Sequence, residues 1–227
     1  MNLSIIVPVF NEKTTIEEIL HRVIKTGLVY EIVVVDDGSQ DGTREILARL
    51  DGQSGIRVVL HDRNQGKGAA VRTGISQAKG DVILIQDADL EYDPREYPVL
   101  LKPIQENIAD VVFGSRFLGA ARRPILFWNM VANKILTLVT NILYNNILTD
   151  METGYKLFRR FVVQDMTLRA RGFDFEPEFT AKILKRKVRI FEVPITFNPR
   201  DYSEGKKIKM RDAFIAMWTL FKYRFVD

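Results

Sequence analysis

The chain has no cysteine and only two histidines, His21 and His61. Neither disulfides nor thiolate metal sites are available, which points to a cytoplasmic protein and to oxygen ligands for any metal. Long apolar runs are also missing: no window reaches the roughly 18 residues that a spanning helix needs. The start, MNLSIIVPVFNE, lacks the charged region and long apolar core of a secretion signal. The expectation is a soluble or peripheral protein. No internal repeat or low-complexity tract is present. Charge is nearly balanced, at +4 formally with pI near 9.2, which suits phosphate, a lipid headgroup or nucleic acid as an anionic partner.

What is present is a full core. Of 227 residues, 46% are hydrophobic, enough for one α/β domain over 1–227. Ser4 to Val9 reads as a buried strand, and Ile16, Ile19, Leu20 and Val23 recur at helical spacing behind Thr14 or Thr15, with Gly27 as a stop. Glu31 to Val35 is a second strand, followed by Asp36-Asp37-Gly38-Ser39-Gln40-Asp41-Gly42-Thr43 and a helix to about Leu50. Arg57 to Leu60, a loop through Gly66-Lys67-Gly68 with a helix behind it, and Val82 to Asp87 continue the alternation. A helix from Pro94 to about Asn107 then precedes a strand, Asp110 to Arg116. This order predicts a doubly wound, mostly parallel sheet, with ligands outside the carboxyl ends of its strands. Asp36-Asp37, Gly66-Lys67-Gly68, Asp87-Ala88-Asp89 and Arg116 should gather along that one edge.

The first strand-helix junction is not G-x-G-x-x-G, and Gly66-Lys67-Gly68 lacks the hydroxyl and first glycine of a Walker A loop, so neither a dinucleotide cofactor nor ATP hydrolysis is expected. The acids carry more information. Extended backbone past Gln86 would send Asp87, Asp89 and Glu91 to one side and Ala88 and Leu90 to the other. Mg²⁺ or Mn²⁺ would relieve the repulsion among three carboxylates; an acidic strand-end turn before Asp93-Pro94 is the alternative.

The second half changes character. Ile125 to Leu148 predicts an amphipathic helix, with Phe127, Val131, Ile135, Leu138 and Ile142 on one stripe and Asn129, Asn133, Thr137 and Asn141 on another. It suits either packing on the sheet or lying in a membrane interface, the latter favoured by Arg122, Arg123 and Trp128. Phe214, Trp218, Phe221 and Phe225 share a helical face near the C-terminus, behind a basic run from Arg200 to Arg211 suited to phosphates or anionic headgroups. Glu176 and Glu178 add carboxylates that could work as a base.

Taken in order, Val7-Pro8-Val9-Phe10-Asn11-Glu12, Val35 to Thr43, Gly66-Lys67-Gly68, Asp87-Ala88-Asp89, Phe113-Gly114-Ser115-Arg116, Thr153-Gly154-Tyr155-Lys156 and Val193-Pro194 resemble a family 2 glycosyltransferase of the GT-A fold, a Rossmann-like α/β architecture. Within it the chain is similar to dolichyl-phosphate mannosyltransferases and other polyprenyl-phosphate hexosyltransferases. The arginine-tryptophan signature of processive synthases is missing, since Trp128 follows Phe127 and Trp218 follows Met217.

The resemblance implies an inverting transfer of one hexose from a nucleotide-sugar such as GDP-mannose or UDP-glucose to a polyprenyl phosphate. Residues 1–118 would hold the donor and 119–227 the acceptor and membrane interface. Pro8, Asn11, Glu12, Asp36, Asp37, Lys67, Asp87 and Ala88 would bind the nucleotide-sugar; Asp87, Asp89 and Glu91 would hold Mg²⁺ or Mn²⁺. Arg116, Arg122, Arg123, Lys156, Arg200, Lys206 and Lys207 would meet donor or acceptor phosphates. Asp89, Arg116 and Asp150 would carry the chemistry, Asp150 aligning with the acid suggested as base. The cytoplasmic membrane face is the expected location and a membrane subunit a further candidate partner; no nucleic acid is expected. Transfer to a saccharide or protein acceptor, or a non-catalytic nucleotide-sugar-binding subunit, are the rivals.

Overall fold

The computed structural model describes residues 1–121, 123–200 and 210–226. Apolar residues on both faces of Leu3–Val9 (β1), Glu31–Asp36 (β2) and Val82–Ile85 (β4) suit only strands covered by helices on each side, and they form the sheet centre. Ile56–Leu60 (β3) closes one edge, pairing parallel to β2. Between them run Ile16–Lys25 (α1), Thr43–Leu50 (α2) and Lys67–Gln77 (α3). In α1 the buried residues recur at helical spacing, with Glu17 and Glu18 in the first turn and Arg22 and Lys25 in the last, complementing the helix dipole. A short turn at Pro94–Glu96 leads into Tyr97–Gln105 (α4), then Val111–Ser115 (β5), Phe127–Tyr144 (α5), Lys156–Arg159 (β6), Phe161–Gln164 (α6), Phe175–Lys185 (α7), Ile190–Pro194 (β7) and Met210–Phe225 (α8).

The seven strands lie in the order β3-β2-β1-β4-β6-β5-β7. All neighbours are parallel except β6, which runs antiparallel to both β4 and β5. The sequence signals located β1 to β5; β6 and β7 complete the sheet from the second half. The reversal of β6 matters for the site. Its beginning lies at the edge where the parallel strands end, so residues 150–155 arrive beside Asp87 and Arg116.

Alternation along β1 sends Leu3, Ile5, Val7 and Val9 into a core with α1, α2 and α4, while Ile6 joins a second core with α3, α6 and α7 on the other face. A third, smaller cluster joins α5 to α8 through Leu136, Met151, Ala216 and Leu220.

The structure shows which face of α5 the rest of the chain covers. The polar stripe is inside: Asn133, Thr137 and Thr140 are buried. The apolar stripe faces outward, with Phe127 61%, Leu138 58% and Ile142 70% exposed. On α8, Phe214, Trp218 and Phe225 are likewise exposed. Among the described residues, no helix is long and apolar enough to cross a membrane.

Candidate active site

Asp36 ends β2 and Asp37 follows it, and both are held by local hydrogen bonds. Asp36 Oδ2 accepts from the amides of Gly38 and Ser39 and from Arg44 Nε at 2.7 Å, while its buried Oδ1 has no partner among the described residues. Asp37 accepts from the amides of Gln65 and Gly66 at 2.9 and 2.7 Å, and its Oδ1 lies 2.7 Å from His61 Nδ1. His61 in turn reaches Thr73 Oγ1 at 2.9 Å. Asp37 therefore braces the loop before α3, and only Asp36 keeps a spare acceptor. His61, invisible as a functional residue in sequence, is the hinge of that brace.

Asn11, at a left-handed φ of 53°, ties the β1 loop to the β2 loop: its amide donates to Ser39 Oγ and its Oδ1 accepts from Gln40 N. Pro8 precedes it, half-buried. Gly66 has φ +99° and packs so closely on the Arg171 carbonyl that a Cβ would collide with it. That contact seats the start of α3 against the segment leading into α7.

The acidic turn departs from the strand geometry the sequence suggested. β4 ends at Ile85, and Leu90 takes a left-handed φ of 63°, so Asp87, Asp89 and Glu91 do not alternate along a strand. Asp87 pairs with Lys67 at 2.8 Å. Asp89 Oδ1 accepts from Glu91 N at 3.1 Å, and its Oδ2 lies 3.1 Å from Arg200 Nη2. Glu91 accepts from the amide of Arg200 at 2.8 Å. Among the described residues, no three carboxylates are gathered as a metal-ligand cluster. Ala88 does not face the site: it is buried in the core.

The same turn is electrostatically loaded. Burial and the nearby charges of Asp87 and Glu91 push the Asp89 carboxyl up to about 7, with Arg200 pulling the other way. Arg200 spans this acid and Glu12, whose carboxylate it meets at 3.1 and 3.3 Å. A spot that already draws a guanidinium fits a hard cation. With only one or two carboxylates offered, Mg²⁺ or Mn²⁺ would complete its shell with water and substrate phosphate.

Arg116 and Asp150 form a second enclosed pair. Both Asp150 oxygens are taken: Oδ2 by the Arg116 amide and Nε, Oδ1 by Arg116 Nη2 and Asn133 Nδ2, all at 2.7–3.0 Å. Despite full burial, which raises it, the Asp150 pKa is lowered by the charge and hydrogen bonds of Arg116. An ionised carboxylate with both oxygens occupied is poorly placed as a general base; it holds Arg116, whose guanidinium also stacks 5.1 Å from the Phe197 ring centroid. Glu192 of β7 supports the arrangement by accepting from the amides of Thr149 and Asp150. Asn133 was legible only as part of a polar helical stripe and Glu192 not at all, because their roles depend on elements that meet only in the fold.

Lys156, expected at an acceptor phosphate, is instead fully buried. It is the first residue of β6 and points inward, donating to the carbonyls of Met151 and Thr153. Arg123 is exposed, and its amide donates to the Phe197 carbonyl. Arg122, Lys206 and Lys207 lie outside the described residues.

A sheet of this order, with acids and arginines at one edge, defines a GT-A nucleotide-sugar fold. Glucosyl-3-phosphoglycerate synthase from Mycobacterium tuberculosis, solved with Mn²⁺, uridine diphosphate and phosphoglyceric acid, superimposes with a TM-score of 0.77 at 21% identity, covering 100% of this chain and 79% of that one. Residues 4–167 match the model of glycosyl transferase family 2, and the chain belongs to that family. It is 33% identical over 211 residues to a dolichol-phosphate mannosyltransferase of Pyrococcus furiosus, covering 91% of this chain and 59% of that protein. It is also 29% identical to a dodecaprenyl-phosphate galacturonate synthase of Rhizobium johnstonii, covering 91% and 62%. The chain thus spans about three fifths of the length of these two relatives.

Proposed function

We propose that this chain transfers one hexose from a nucleotide-sugar to a polyprenyl phosphate at the cytoplasmic face of a membrane. The observation that carries this reading is α5. Its polar face builds the site, Asn133 holding Asp150 and through it Arg116, while its apolar face is turned outward beside that of α8. A phosphate-binding edge next to an exposed apolar surface suits an acceptor that is a phosphate on a lipid. The two polyprenyl-phosphate relatives support the same acceptor class.

In this reading Asp89, flanked by Asp87 and Glu91, holds Mg²⁺ or Mn²⁺, which would stabilise the charge developing on the departing nucleoside diphosphate. Asp36 and Asn11 meet the nucleoside end, and Arg116 receives a donor or acceptor phosphate. A phosphate monoester has a second pKa of about 6, so near neutral pH the acceptor is already an anionic nucleophile. No strong base is required, in keeping with the full hydrogen-bonding of Asp150. Direct displacement on an α-linked donor gives a β-linked product.

With radiolabelled GDP-mannose or UDP-glucose, Mn²⁺ and a polyprenyl phosphate, label is expected in the chloroform phase. Label that stays aqueous under all donors counts against a lipid acceptor. The membrane surface has its own test. Trp128→Glu and Trp218→Glu, at positions 74% and 69% exposed, are each expected to weaken sedimentation with phosphatidylglycerol vesicles by about tenfold. Unchanged sedimentation of both would remove α5 and α8 as the contact.

A further inference from the structure

We propose that Glu152 and Glu176 form a subsite beside Asp87 that recognises the transferred sugar through its hydroxyl groups and selects neutral hexoses over uronic acids. The proposal rests on the nucleotide-sugar reading above and specifies its donor.

Glu152 lies in the turn before β6, and Glu176 in the first turn of α7. Lys67 places the second beside Asp87: its Nζ is 2.8 Å from Asp87 Oδ1 and 3.0 Å from Glu176 Oε1. Glu152 adjoins Glu176, whose charge acts on it more strongly than any other. The two glutamates thus share a corner that Lys67 joins to Asp87.

Each keeps one buried oxygen unused. Among the described residues, Glu152 Oε1 and Glu176 Oε2 have no hydrogen-bond partner. Nearly all buried polar atoms in folded proteins are paired, and an unpaired carboxylate oxygen is costly, so two in one corner point to a ligand that completes them. The mutual burial shows in Glu152, whose carboxyl is pushed up to about 8 by burial and then by the charge of Glu176. The terminal torsion of a glutamate is soft, so the free oxygens can turn toward a ligand without moving the side-chain stems.

Glu176 Oε2 offers an acceptor, and Glu152, which holds its proton near neutral pH, offers a donor beside its acceptor oxygen. Sugar hydroxyls both donate and accept and match the pair. The carboxylate of a uronic acid brings Glu176 no donor and adds a charge like those of Glu176 and Asp87.

The test uses the full chain with Mn²⁺ and calorimetric titration of UDP-glucose against UDP-glucuronate and of GDP-mannose against GDP-mannuronate, each beside its bare diphosphate. In whichever series binds, the neutral sugar is expected to bind at least about tenfold tighter than its uronate. Glu152→Ala and Glu176→Gln should each weaken the neutral donor by about tenfold, the second also narrowing that gap, while leaving bare diphosphate affinity within about twofold. Retained diphosphate binding shows that the variants are folded. Equal affinity for hexose and uronate donors, or variants that weaken donor and bare diphosphate alike, overturns the subsite and leaves the transferase reading standing. No binding of any nucleotide overturns both.

Discussion

Asp89→Ala is expected to reduce sugar transfer by at least about 10²–10³-fold at every Mg²⁺ or Mn²⁺ concentration, because the charge leaving with the nucleoside diphosphate loses its principal counterweight. The loss should come without loss of folding. Asp89 is a partly buried acid repelled by Asp87 and Glu91, with its carboxyl raised to about 7. A raised acid binds its proton more tightly in the folded state than in the unfolded one. Its ionisation therefore costs stability as pH rises from about 4, the unfolded value, to the folded value. Metal-free wild type should lose that increment across the window, and Asp89→Asn should not. Initial rates with labelled donor and melting curves at pH 4 to 8 separate the two effects. Wild-type rates in Asp89→Ala across the metal titration would sink the assignment.

Asp150→Ala should do the opposite, with its largest effect on stability. Arg116 would remain in a site where its side chain is only 14% exposed, without the carboxylate that meets it at 2.7 Å. Removing one partner of a buried pair costs about 3–5 kcal/mol, which for a domain of this size lowers Tm by roughly 6–20 °C. The pH dependence has a definite sign. The Asp150 pKa is depressed in the fold, so its contribution is present above the unfolded value of about 3.9 and is lost as pH falls through the lower folded one. The double change Arg116→Met with Asp150→Leu should recover much of the stability and none of the transfer, since the buried charge is gone but so is the phosphate ligand. A melting temperature for Asp150→Ala within 2 °C or so of wild type, a shift worth only about 1 kcal/mol, would show that the pair is not what holds Arg116.

These two acids also mark how far the sequence could be read. Asp89 announced itself, because it follows an apolar run and stands in an Asp-x-Asp pattern. Its neighbours were placed by strand alternation, and that failed at Leu90, where a left-handed residue turns the chain. Asp150 could be singled out but not given a role, since its partners Arg116, Asn133 and Glu192 lie 34, 17 and 42 residues away. Lys156 shows the same limit: a basic residue in a polar stretch reads as exposed until β6 is inserted between β4 and β5 and buries it.

By itself the sequence determined the alternating α/β order, the strands β1 to β5 and the edge on which the acids, glycines and Arg116 collect. Those features follow from local periodicity and turn chemistry, which neighbouring residues encode. Only the tertiary structure decided that β6 runs backwards into the sheet, that α5 turns its polar stripe inward and its apolar stripe out, and that Asp150 is a brace for Arg116. Each of those depends on which distant segment supplies the hydrogen-bond partner. An amphipathic pattern fixes two faces but not which of them the rest of the chain will cover.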